Sequence, residues 1–343
     1  MLAITGASGE LGSRVASRLV ALGVAQRLIV RDSARAPVLP GTEVVEASSY
    51  GDWAAMVRAL TDIQVLFLVS ARDRFGVAHM SARNHTVPSP YDRLQQQRVA
   101  VDAASTAGVQ HIVYLSVVNA TSDATFILAH DHFYTEQHIL ASGMPFTFLR
   151  ASLYTDNVPQ CVSADDIIRA PAGDGRVAWI TRDDIADVAV AVLTGTGHGG
   201  CIYDVTGPEE LTMAETAERL SAAVKREIVY QPQTPQEARA ARTTSRLEKY
   251  EKERRMLTGH GLDDYEVDVF VTHFLQIAAG DLSGVSDTVP KLTGHPAQSL
   301  EEYLRQHPET YRHLLPHDAV LHAHAPLPAL PQTAGRCRLP FHS

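Results

Sequence analysis

Gly6, Ser8, Gly9, Glu10, Leu11 and Gly12 stand together at the start of the chain, in the run MLAITGASGELG. Three glycines at that spacing, between a β-rich run and an amphipathic segment, make a turn on which phosphate can sit. The expected strand over 2–4 stops at Thr5, and the helix that follows carries Leu11, Val15, Leu19, Val20 and Leu22 at helical spacing. Its first backbone N–H groups have no partners within the helix and lie at the positive end of its dipole, so they suit a pyrophosphate. Glycine removes the Cβ atoms that would hold the phosphate away. The competing reading is a tight turn with no ligand, and the strand-to-helix setting favours the dinucleotide.

Which dinucleotide fits depends on the end of the second strand, where an acidic residue would hold the ribose of NAD and an arginine would accept the extra phosphate of NADP. The chain reads Leu28-Ile29-Val30-Arg31-Asp32. Arg31 has a planar fork matched to phosphate and favours NADP, while Asp32 leaves NAD open or pairs with Arg31 on the surface.

These groups need a frame, and the hydrophobic pattern supplies one. β-rich apolar runs at 28–30, 44–45, 65–69, 111–115, 146–149 and 201–205 alternate with helical patterns at 52–60, 93–107, 132–142, 182–193 and 213–224. That alternation predicts an α/β fold, a Rossmann-like doubly wound parallel sheet. In such sheets the ligand crosses the carboxyl ends of the strands. Arg31, residues 70–72, 116–119 and 150–157 follow strand ends and so face the crevice, with Val69, Ser70 and Ala71 beside the glycine turn. Ser116 ends one strand and offers a hydroxyl to a ribose or substrate; alternatively it satisfies its own turn.

The chain has 343 residues, 30 Lys plus Arg against 39 Asp plus Glu and a net charge of -9, which argues against nucleic acid as a partner. The densest charge run, RLEKYEKERR at 246–255, mixes signs at helical spacing and reads as a solvated face. Three widely spaced cysteines, Cys161, Cys201 and Cys337, fit neither a disulfide framework nor a zinc ribbon. A first strand at residue 2 leaves no room for a leader, and no apolar run reaches the roughly 20 residues of a membrane span. A cytoplasmic protein away from membranes is the expectation. No heptad or long apolar edge specifies a partner surface, and a homo-oligomer stays open.

Taken in order, ITGASGELG, LIVRDSARA, GVQHIVYLS, HFYTEQHILASGMPFTFLRASLYTDNV, APAGDGRVAWITRDDIADVAVAVL and YDVTGPEELTMAETAERLS resemble the NmrA-like atypical short-chain dehydrogenase/reductases, in the branch of NAD(P)H:quinone oxidoreductases and triphenylmethane reductases. The resemblance runs with interruptions to about residue 308. It implies a Rossmann domain over 1–155 and a smaller C-terminal α/β substrate lobe built mostly from 156–315, with some strands and helices returning to the first domain. It further implies NADPH or NADH as cofactor and a quinone or other planar aromatic acceptor as substrate.

The Tyr and Lys four residues apart that larger short-chain dehydrogenases use are missing; Tyr134 with His138 is the nearest imitation. The resemblance instead places His132 where isoflavone-reductase-like enzymes carry a catalytic Lys, as proton donor or as a clamp on the nicotinamide ribose. An imidazole titrates near neutrality and suits an acid. Glu136 lies one helical turn on and would favour the imidazolium. The opposing reading has His132 solvating the helix start and Glu136 facing water. The resemblance puts Leu153, Tyr154 and Asn157 near the nicotinamide, with Tyr154 either stacking on a planar substrate or packing under its loop. It puts Tyr50 at the adenine, where Ser49 replaces the family's usual acidic residue.

Residues 71–93 form a long segment at the crevice mouth, read either as a lid or as a disordered excursion. The charged helical stretch 240–264 decorates the lobe, and 316–343 lacks periodicity and reads as a disordered tail. His130, His132 and His138, and the histidines of the tail, lack a ligand pattern, so no metal is expected. A regulator that senses NAD(P) without turning it over, and a biosynthetic reductase or isomerase of natural products, stand as alternatives to the reductase.

Overall fold

In the computed structural model, residues 1–70, 90–254 and 264–315 are described. The strands β1 (Leu2–Thr5), β2 (Gln26–Val30), β3 (Thr42–Glu46), β4 (Val65–Val69), β5 (His111–Val117) and β6 (Phe146–Ala151) come first. After β7 (Ile167–Ala170) and β8 (Arg176–Val177), β9 (Cys201–Val205) returns to the same sheet, and β10 (Leu211–Thr212) and β11 (Val229–Pro232) lie beyond it. The main sheet has seven strands in the order β3-β2-β1-β4-β5-β6-β9, and all its pairs are parallel.

Helices cover both faces, which is why β1 and β2 are buried along their whole length, with Leu2 to Ile4 and Leu28 to Val30 reading as apolar runs. On one face α1 (Glu10–Ala21) packs Val15 and Leu19 onto Leu28, Val113 and Leu149. The other face belongs to α2 (Trp53–Leu60), α3 (Pro90–Thr106) and α4 (Ile127–Ala141), over Ile29, Leu66, Ile112 and Phe148. α5 (Arg182–Thr194) joins α1, fixed by Arg18 donating to Asp183 (2.6 Å) and Asp187 (2.7 Å). The chain runs outward from β1 in both directions, to β2 on one side and β4 on the other, so the crevice opens above the β1–β4 boundary.

A second core lies apart from the sheet. β7 pairs with β11 and β8 with β10, and Ile168, Trp179, Leu220 and Phe274 pack together beneath α6 (Met213–Val224) and α8 (Asp264–Ala278). Thr212 starts α6 with a capping box: its hydroxyl accepts from Glu215 N–H, and the Glu215 carboxylate accepts from Thr212 N–H. α7 (Pro235–Arg254) holds the first part of the charged stretch, α9 (Thr288–Thr293) returns toward α5, and α10 (Leu300–Gln306) closes the lobe.

The start of α4 departs furthest from expectation. α4 begins at Ile127, five positions before the predicted start, because Ile127, Leu128 and Ala129 pack against a lobe helix through Val269. His132 therefore sits inside the helix instead of at its entrance. Ala71, most of the crevice-mouth segment, residues 255–263 and the tail lie outside the described residues.

Candidate active site

The glycine turn is locked by backbone contacts. Thr5 Oγ1 accepts from Val69 N–H (2.9 Å), tying the ends of β1 and β4 together beneath the crevice. Gly6 has a φ of +63°, a conformation that side chains rarely tolerate, and its carbonyl accepts from Gly9 N–H at 2.9 Å. Gly9 caps α1 without any side-chain hydrogen bond, so the first-turn N–H groups are not claimed by a cap. Leu11 is buried and anchors the helix, whereas Ser8, Gly9 and Glu10 are exposed. Glu10 accepts from Arg14 (2.8 Å), which draws its carboxylate along the helix.

Arg31 and Asp32 are both exposed, and they do not pair: the Asp32 carboxylate accepts from Ala34 N–H and caps a short turn. That leaves the guanidinium at the end of β2 for an incoming ligand. Tyr50 is buried with its hydroxyl donating to the Val69 carbonyl at 3.5 Å, and burial raises its pKa. It props the turn from below, behind Gly6, and presents no open ring face for stacking. Ser49 serves its own turn through Gly51 N–H (3.0 Å).

Farther along the crevice, strand alternation puts Tyr114 and Ser116 of β5 on the α4 side. Ser116 Oγ donates to Glu136 Oε1 at 2.6 Å. Both Glu136 oxygens also accept from Arg150, at 3.0 Å from Nε and 2.6 Å from Nη2. The hydrogen bond to Glu136 is the main cause that raises the Arg150 pKa. The anticipated His132–Glu136 pair is thus corrected: the carboxylate belongs to Arg150 and Ser116, because the end of β6 brings a permanent cation closer than the imidazole.

His132 is 5% exposed and has a partner on each ring nitrogen. Arg93 Nη2 lies 2.8 Å from Nε2, and the Tyr114 hydroxyl lies 2.8 Å from Nδ1. A guanidinium can only donate, so Nε2 carries the lone pair and Nδ1 the proton. Tyr114 accepts that proton and passes its own to Gln97 Oε1 (2.6 Å). Burial first, and the Arg93 charge second, hold the imidazole well below its ordinary value, so it is neutral. The expected imidazolium acid is not what this geometry provides.

A group kept neutral in the folded state yields to protons in the unfolded one, so His132 supports folding fully above about pH 6.5 and progressively less below it. His273, pushed down to about 4 by burial, acts with the same sign. Chemical denaturation at pH 7.5 and 5.5 should show a loss that is shallower in His132→Gln by up to about 1.4 kcal/mol per pH unit. Equal slopes for the two proteins would rule out a neutral buried imidazole.

The loop after β6 is packed more than predicted. Leu153 contacts the lobe core, Asn157 is exposed, and the Tyr154 ring lies 4.5 Å from the Arg182 guanidinium, which itself pairs with Asp156. Tyr154 follows the packing reading, since a cation already covers its face. A cleft of about 660 Å³ opens between α1 and the lobe, lined by Glu10, Arg14, Asp156 and Tyr303 among others; Ser116 and His132 do not line it. The structure gathers Gly6, Ser8 to Gly12, Tyr50 and Val69 around the glycine turn and Ser116, His132 and Glu136 between β5 and α4, with Ser70 between the two groups, bonded to the Arg93 that also meets His132. Sequence reasoning assigned no role to Arg93, Gln97, Tyr114 or Arg150, although Arg150 follows a strand end.

A parallel sheet with a topological break at β1, and a glycine turn feeding a helix there, defines a Rossmann-like α/β protein. The NmrA-like family matches residues 1–251, and the chain belongs to that family. It is 30% identical over 311 residues to an NAD(P)H azoreductase of Xenophilus azovorans, covering 90% of this chain and 98% of that one. An NADPH-dependent quinone oxidoreductase of Escherichia coli, solved in complex with NADPH, superposes with a TM-score of 0.74 at 30% identity, over 89% of this chain and 99% of the other. The triphenylmethane reductase of a Citrobacter species gives 0.72 at 27% identity, over 91% and 99%.

Proposed function

We propose that this chain is an NADPH-dependent reductase that delivers hydride to a quinone or another planar aromatic acceptor. The observation that carries the reading is the side-chain-free helix start above Gly6 at the β1–β4 break, in a chain that matches an NADPH-bound quinone oxidoreductase along almost its whole length. The fit to a dinucleotide is steric as well as electrostatic. A Cβ on Gly12 would fall 2.4 Å from the Gly6 carbonyl oxygen, so the turn is built for glycine.

Glu10 and Leu11 would hold the pyrophosphate through backbone N–H groups, the Gly9 N–H being spent on the Gly6 carbonyl. Arg31 would take the 2′-phosphate, and Ser116, whose proton is committed to Glu136, would accept from a ribose hydroxyl. When bound, the dinucleotide supplies the hydride, and the protein supplies orientation and charge. The reading needs no acid from His132.

Arg31→Gln is expected to weaken NADPH roughly 10- to 100-fold, the worth of hydrogen bonds to a charged group, while leaving NADH unchanged. Fluorescence titration of both cofactors checks this, and an unaltered preference removes Arg31 from the cofactor site. Following NADPH absorbance with a panel of quinones and aromatic dyes tests the activity itself. Tight NADPH binding with no acceptor-dependent oxidation would turn the reading into that of a sensor. Among the described residues no helix is long and apolar enough to cross a membrane. The acidic net charge of -9 supports a small-molecule partner over nucleic acid.

A further inference from the structure

β2 and β3 end side by side, with Val30 and Glu46 opposite each other in the parallel register. Arg31 follows Val30, and the Glu46 side chain reaches the turn beyond it, where Oε2 accepts from Ser33 N–H at 3.2 Å. The Asp32 carboxylate accepts from Ala34 N–H at 3.0 Å. The next two amides are also taken, Arg35 N–H by the Asp32 carbonyl and Ala36 N–H by the Ser33 carbonyl, both at 3.1 Å. Backbone groups therefore pin two carboxylates near the guanidinium groups of Arg31 and Arg35, and all four residues are exposed.

The Arg31 charge also acts inward. Burial raises the pKa of the Tyr50 phenol, and Arg31 is among the groups that work against that rise. The Tyr50 hydroxyl in turn stands 3.7 Å from where a Cβ on Gly6 would be. The end of β2 and the glycine turn thus form one electrostatic neighbourhood, where the adenosine half of a dinucleotide would lie.

Resting on the NADPH reading, we propose that Glu46 is a specificity-determining residue: its carboxylate, fixed by Ser33 N–H two residues beyond Arg31, opposes the 2′-phosphate and narrows the preference for NADPH over NADH. A phosphate group brings roughly two negative charges, and a carboxylate held at the same strand ends repels them. The 2′-hydroxyl of NADH carries no charge to repel. An acidic residue at the end of the second strand is the usual discriminator against NADP. Here the third strand supplies the carboxylate, because the register sets Glu46 level with the last residue of β2.

The test titrates the full-length protein and its Glu46→Gln and Glu46→Lys variants with NADPH and NADH by fluorescence. Adenosine 2′,5′-bisphosphate and AMP serve as competitors that lack the nicotinamide. Glu46→Gln keeps an acceptor for Ser33 N–H and removes only the charge, so it should tighten NADPH about 3- to 10-fold while NADH stays within about 2-fold. Glu46→Lys should widen the gap further, and the bisphosphate should follow NADPH as AMP follows NADH. The gain should shrink as salt rises from about 0.05 M to about 0.5 M, since the groups are exposed. Equal changes for both cofactors, or a gain that salt leaves untouched, would make Glu46 a tie between β3 and the turn and overturn the proposal. A wild-type protein that binds neither cofactor overturns the dinucleotide reading and this inference with it; wild-type binding with an unaltered preference in Glu46→Gln overturns the inference alone.

Discussion

Gly12→Ala should raise the NADPH Kd by three orders of magnitude or more, beyond the roughly 10- to 100-fold expected from losing a hydrogen bond to a charged group. The added methyl would sit 2.4 Å from the Gly6 carbonyl oxygen, 2.8 Å from its carbonyl carbon and 3.0 Å from the Ala7 Cα. All three are backbone atoms and cannot swing aside. Gly6 is itself held, its carbonyl accepting from Gly9 N–H and the Thr5 before it accepting from Val69 N–H. Relief requires α1 to move away from the turn, which withdraws the N–H groups that would face the pyrophosphate. Overpacking of this kind also costs about 1–3 kcal/mol of stability. Titration with NADPH by fluorescence, next to a circular-dichroism melt, separates lost binding from lost fold. A folded variant with wild-type affinity would remove the turn from the cofactor site.

Glu136→Ala carries the second large effect, and it falls on stability and catalysis together. Glu136 is 1% exposed and is the shared acceptor of Ser116 and Arg150. Removing it strands a half-buried guanidinium, for which a cost of about 3 kcal/mol is expected, near the low end for broken buried pairs because Arg150 keeps some contact with water. It also releases the Ser116 hydroxyl, so its lone pairs no longer face one direction. Glu136→Gln retains the shape and an acceptor for Ser116 but loses the charge, and should land between wild type and alanine on both scales. Urea unfolding at pH 7 and kcat with a quinone report the two effects. An alanine variant with the wild-type midpoint would mean that Arg150 is well solvated without its partner.

The sheet was legible because burial on both faces writes much of a central strand as an apolar run, as in Leu28 to Val30 and Val65 to Val69, and because Gly6, Gly9 and Gly12 leave few other uses for that spacing. The place of Arg31, just past the end of β2, was legible for a similar reason. The polar interior was not. His132, Thr135 and Glu136 are buried on α4, yet in sequence they look like a solvated helix face among Ala129 and Ile139. What buries them is supplied from far along the chain: Arg93 from α3, Tyr114 and Ser116 from β5 and Arg150 from β6. Spacing within one helix suggested that His132 and Glu136 answer each other, whereas cations from other elements take both. Tyr154 shows the same limit, since Arg182, well downstream, decides that its ring is covered.

β9 enters the sheet beside β6 only after the chain has gone out to lay down β7, β8 and α5. During synthesis, then, β6 is an unpaired edge until Cys201–Val205 has cleared the ribosome, with Phe148 and Leu149 among the residues waiting to be covered. An uncovered apolar edge invites pairing with another chain, and closing it demands a long-range contact that forms slowly. A ribosome stalled before β9, or a gene fragment ending at β6, should therefore yield a sticky product instead of a smaller working enzyme. The lobe's early strands are threaded between two neighbours of the cofactor sheet, and the two parts of the molecule have to be born together.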